Sequence, residues 1–77
     1  MAKVFVHTQS AKGKSDWSNE GREFLRLPVF GEYFALASGG EWYQVDLVVH
    51  CPFESEYAAE VYGTLVDHVE VLKASLH

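Results

Sequence analysis

Residues 39–52, GGEWYQVDLVVHCP, constrain the chain more than any other stretch. Two glycines precede a run of β-branched and aromatic residues, which is a hairpin signal, and a proline with no N–H to donate closes the run. Side chains alternate across a strand. Tyr43, Val45, Leu47 and Val49 are therefore read as the core face, with Val45 and Leu47 at its centre. Trp42, Gln44, Asp46, Val48 and His50 form the opposite face. Cys51 continues the inward parity, so His50 and Cys51 project to opposite sides and cannot act together on one atom.

Other segments extend the pattern. KVFVHT alternates, placing Val4, Val6 and Thr8 together on strand one. Gln9 to Gly21 is rich in Ser, Lys and Gly and reads as a mobile loop pinned by Trp17, long enough to be a place for partner contacts. Glu23 to Leu27 and Glu32 to Ala37 are short extended pieces on either side of Pro28 and Gly31. In SEYAAEVYGTLV the alternation returns, with Tyr57, Ala59, Val61, Gly63 and Leu65 on one side, and Val61 is expected in the core. Near the C-terminus Leu65, Val69, Leu72 and Leu76 fall at helical spacing, and Asp67 with Glu70 forms a capping pattern, which favours a short helix over a strand. The fold class expected is mainly β in a single domain: a five-stranded, strongly bent antiparallel sheet or small SH3-like barrel with a short C-terminal helix. An α+β roll is the alternative.

Charge excludes one class of partner. Eleven acidic residues against six basic give a net charge of −5, and the basic residues are scattered. Binding to a phosphate backbone draws its affinity from a concentrated positive face, so no direct nucleic-acid contact is expected. No apolar run approaches the roughly 18 residues of a membrane span, and the N-terminus has no signal-peptide core. A single cysteine cannot make an internal disulfide, which points to a reducing cytoplasm.

Chemistry-bearing residues do not converge in the sequence. His7, His50, His68 and His77 lack zinc-site spacing, and Glu54 with Glu56 supplies too few oxygens for calcium. Cys51 reads as a small buried hydrophobe whose one remote base would be His68. No catalytic group, metal or cofactor is expected.

What remains is surface. Two tryptophans, four tyrosines and five phenylalanines are many for so small a core, and aromatic side chains are enriched at interfaces. The strand face of Trp42, Gln44, Asp46, Val48 and His50 is thus the candidate interface or ligand surface. Leu27-Pro28, Gly31-Glu32, the Gly40-Glu41-Trp42-Tyr43 turn, Val45, Val49-His50 and Glu60-Val61-Tyr62 together resemble a pattern of small bacterial proteins, some carried on mobile integron gene cassettes. The resemblance implies a compact β domain and carries no catalytic residue with it. Two functions follow as expectations. One is a non-enzymatic protein-interaction module that self-associates, with a homodimer the expected assembly and a further protein partner open. The other is a small-molecule binding protein or enzyme whose site, using His50, Trp42 and Asp46, forms between subunits.

Overall fold

The computed structural model describes residues 2–11 and 16–76. Five strands, β1 (Ala2–Gln9), β2 (Ser18–Phe24), β3 (Tyr33–Ala35), β4 (Trp42–His50) and β5 (Ala59–Val66), precede one helix, α1 (His68–Ser75). They form one sheet in the order β2-β1-β5-β4-β3. The sheet is mixed, which corrects the antiparallel expectation: β1 and β5 run parallel, while the other three pairings are antiparallel. The chain reaches β5 through the Cys51–Ala58 connection, where Cys51 N–H donates to the Ala58 carbonyl and Ala58 N–H to that of Lys3. That second bond docks the incoming segment alongside β1.

Curling the sheet into a half-barrel brings its two end strands together, and Phe24 of β2 meets Phe34 of β3 edge-to-face, with ring centroids 5.9 Å apart. The core lies inside this curl. Val4, Val6, Phe34, Val45 and Val61 are buried together, with Phe24, Leu27, Leu36, Tyr43 and Val48 packed around them. Alternation in β1 and β5 runs as expected, since Val6 and Val61 are direct partners across the parallel pair.

In β4 the alternation breaks. Val45 pairs with Gly63 and Leu47 with Tyr62, so Asp46 is an extra residue on its strand, a β-bulge. The bulge inverts every following position. Leu47, expected in the core, is instead 53% exposed, while Val48 turns inward opposite Val61. The same inversion takes Cys51 out of the core, where it is half-buried. The consequence for the candidate face is direct: Trp42, Gln44 and Asp46 lie on the outer surface of the sheet, whereas Val48 and His50 lie on its inner side.

The expected loop from Gln9 to Gly21 is shorter than its composition suggests, because β2 begins at Ser18 and ends where the expected second strand was to start. Residues 12–15 of that loop lie outside the described residues. The third strand is confined to Tyr33–Ala35. The β3–β4 hairpin is present, and Gly39 takes a positive φ of 73° in its turn, a backbone angle glycine adopts at no steric cost. Asp67 caps α1 through Oδ1, which accepts from the amides of Val69 and Glu70. The helix buries none of its residues fully.

Candidate functional site

Two regions of the surface concentrate chemistry. On the outer side of the sheet, rings stack in a ladder. Tyr57 lies on Phe5 at 5.0 Å, Phe5 meets the edge of His7 at 4.8 Å, His7 stacks on Tyr62 at 4.4 Å, and Trp17 abuts Tyr62 at 5.5 Å. The parallel register produces this ladder, because it sets His7 beside Tyr62 and Phe5 beside Glu60. His7 Nε2 lies 2.9 Å from Glu60 Oε1, and Nδ1 contacts Asn19 Oδ1 from β2. A carboxylate can only accept, so Nε2–H donates to Glu60. Both ring nitrogens of His7 thus have polar neighbours within the sheet. Burial, and then the Glu60 carboxylate, push the Tyr62 phenol above its ordinary pKa. This ladder ties β1, β2 and β5 together.

The second region is a groove of about 320 Å³ lined by Leu27, Pro28, Val29, Phe30, Leu47, Val48 and His50, with Asp46 at its end. The β2–β3 connection builds one wall. Gly31 N–H donates to the Val45 carbonyl, and Val45 N–H donates back to that of Glu32, so the connection is fastened to β4 just before the bulge. Glu32 then holds the loop in shape. Its carboxylate takes a two-pronged contact from the Arg26 guanidinium and accepts from the Val29 amide at 2.7 Å. These bonds hold the Glu32 carboxyl down at about 2, the Arg26 contact being the larger cause and the Val29 amide the next. The outcome is an apolar rim that water reaches freely: Phe30 is 76% exposed and Val29 is 53% exposed.

The opposite wall is the second half of β4. β3 pairs only with Trp42–Gln44, and among the described residues no strand other than β5 pairs with Leu47–His50. Cys51 N–H points at β5, so by alternation the backbone groups of Leu47 and Val49 also face β5, and those of Val48 and His50 face the open edge. The groove therefore combines exposed apolar side chains with an unpaired strand edge.

The candidate residues are divided between these surroundings. Trp42 is half-buried at the far end of the strand, near His68 of α1 and Tyr33 of β3. Gln44 Nε2 reaches the Gly31 carbonyl at 3.4 Å. The Asp46 carboxylate accepts from the Thr64 hydroxyl, which in turn accepts from Gln9 Nε2 at 3.0 Å. Only Val48 and His50 reach the groove wall fully, so His50 does not converge with Trp42 within one chain. Nor does Cys51 meet His68, which packs at the other end of β4; Sγ lies 3.9 Å from the Val49 carbonyl. His7 and His50 are separated by β5 and lie on opposite sides of the sheet. Glu56 pairs with Lys3 at 3.0 Å. Among the described residues no three His, Cys, Asp or Glu side chains come together in a way that could hold a metal, and no helix is long and apolar enough to cross a membrane.

Sequence reasoning did not find the Leu27–Phe30 wall. LRLPVFGE carries its signal in plain view, three apolar residues around a proline, but the fastening to Val45 is a long-range relation that no local pattern encodes. Compared with known proteins, no family model matches this chain, no curated protein matches it, and no solved structure matches it.

Proposed function

We propose that the chain is a non-enzymatic protein-interaction module that self-associates. The observation that carries this reading is the groove between Leu27–Phe30 and the second half of β4, where Val29, Phe30 and Leu47 are exposed beside a strand edge that no other described strand pairs with. Water solvates such a surface poorly, and exposed apolar patches of this kind mark association sites.

The surface area supports the same reading. A compact monomer of 8.7 kDa exposes about 4,700 Å² by the usual scaling, whereas this chain exposes 5259 Å². Its radius of gyration, 12.8 Å, likewise exceeds the roughly 11.5 Å expected for its length. The unbridged thiol suits a cytoplasmic setting, and the hairpin pattern suits a small bacterial domain of the kind carried on gene cassettes.

Sedimentation equilibrium at micromolar to millimolar concentration tests the proposal. The expected result is a mass near twice that of the chain, moving towards the monomer in Phe30→Glu. A clean monomer throughout would overturn it. A thermal-shift screen with metabolites tests the small-molecule alternative, since a ligand at 100 times its dissociation constant raises stability by about 2.7 kcal/mol.

A further inference from the structure

β4 departs from regular pairing at one residue, and side chains hold that residue in place. Asp46 is the extra residue of the bulge between Val45 and Leu47. Its carboxylate accepts from the Thr64 hydroxyl, and Thr64 Oγ1 accepts from Gln9 Nε2 at 3.0 Å. Gln9 and Thr64 are both buried, so a chain of bonds anchored in β1 and β5 reaches the bulge. Regular pairing would break it. Continued from the Val45–Gly63 pair without a bulge, β4 would set Asp46 opposite Tyr62. Thr64 would then be a diagonal neighbour about 7 to 8 Å away, a distance suited to long side chains rather than to aspartate.

Apolar packing pulls the other way. A shift of one residue exchanges the faces of every position that follows. In regular pairing Leu47 would stand opposite Val61 and Val49 opposite Ala59, both turned into the curl, while Val48 and His50 would turn outward. The chain instead leaves Leu47 53% and Val49 40% exposed and places His50, itself exposed, on the inner side. Because Leu47, Val48 and Val49 are all apolar, either register supplies residues that suit the core. The residue released by the bulge would be taken up between Cys51 and Ala58, a connection with no strand of its own.

We infer that the second half of β4 has two registers and that the Asp46–Thr64–Gln9 bonds select the bulged one. The groove depends on this choice, because its β4 wall of Leu47, Val48 and His50 is presented as it stands only with the bulge in place. In the regular register Leu47 and Val49 would leave the surface and Asp46 would leave Thr64. The choice of register makes the groove, whatever fills it, so it goes beyond self-association and does not depend on it.

Thiol labelling in the native state reads the register. Val48→Cys and Val49→Cys are each made with Cys51→Ser, so that every protein carries one thiol. Both are prepared with Thr64 intact and with Thr64→Val, which removes the hydroxyl. With Thr64 intact, the thiol at position 49 is expected to react faster than that at position 48. In Thr64→Val the ratio of the two rates should fall about tenfold or more, the factor that a lost hydrogen bond to a charged group corresponds to. Thr64→Ser keeps a hydroxyl and should leave the ratio high. An unchanged ratio in Thr64→Val overturns the inference, because the bulge then stands without the bond. So does a rise of both rates towards those of the urea-unfolded chain, which would mean that the bonds hold the fold together rather than choose between two registers. Neither outcome changes what sedimentation says of a dimer, so the register switch and self-association fail separately.

Discussion

The ring of Phe34 lies directly on the backbone of Gly63. A β-carbon at Gly63 would stand 3.0 Å from Cε1 and Cζ of that ring and 3.3 Å from the Gln44 carbonyl oxygen. The end strand β3 thus closes over β5 through a contact tighter than a side chain at Gly63 would ordinarily leave, and the same ring is what Phe24 and Tyr43 pack against.

Gly63→Val is therefore expected to push Phe34 away from β5 and to open the closure with β2. Overpacking of this kind costs about 1 to 3 kcal/mol. Urea unfolding measures it, and Gly63→Ala should fall between the two, because Phe34 has to give by only a few tenths of an ångström.

The bulge at Asp46 makes a contrast of three truncations. Val45→Ala and Val48→Ala remove atoms from the core and should each cost about 1 to 3 kcal/mol. Leu47→Ala should cost under about 0.5 kcal/mol in the monomer, as exposed substitutions do. The unbulged reading reverses the order of Leu47 and Val48, so chemical denaturation of the three variants at a concentration where the chain is monomeric decides between them.

Acid should loosen the groove before it unfolds the sheet. The Glu32 carboxyl is lowered from 4.5 to about 2 by Arg26 and the Val29 amide. A depressed carboxyl stabilises the native state above its unfolded pKa, and that contribution is lost as the pH falls through the native value. The difference between the wild type and Glu32→Gln should be full above about pH 4.5 and vanish towards pH 2. Amide hydrogen exchange at Val29 and Gly31 as a function of pH reads it directly.

At the other end of the chain, Asp67→Ala should cost about 1 kcal/mol of helix with little effect on the sheet. No residue of α1 is fully buried, so the helix can fray alone. Faster exchange at Val71 with unchanged protection at Val61 is the expected pattern, and equal loss at both would show that α1 is part of the core.

The parts of the fold legible in the sequence are those in which one local pattern decides. Val4, Val6 and Thr8, and likewise Ala59, Val61 and Gly63, alternate without interruption and are buried as read. Asp67 and Glu70 mark the start of α1, with Asp67 as its cap. In β4 the pattern is ambiguous at one place, because Leu47, Val48 and Val49 are three apolar residues in a row and satisfy either parity. A bulge leaves no other trace in such a run, so the face assigned to Trp42, Gln44, Asp46, Val48 and His50 was continuous on paper and is split in space. β2 was missed for a different reason: Ser18, Asn19 and Gly21 favour turns on their own, and they are held extended by pairing with Thr8, His7 and Phe5. The groove could not be read at all, since it depends on Gly31 and Glu32 finding Val45.

The parallel pairing of β1 with β5 governs how this chain must fold in time. His7 and Glu60, which hydrogen-bond each other, are 53 positions apart, and the central strand β5 is the last of the five in chain order. Until β5 is available, Val4 and Val6 have no core to enter, and the β1–β2 hairpin carries its apolar side uncovered. Closing so long a loop before any of its contacts can stabilise it makes folding slow compared with helical domains of the same length. During that interval the exposed apolar Leu47–Val49 stretch is available to other chains, which makes it the place through which unfinished molecules would aggregate.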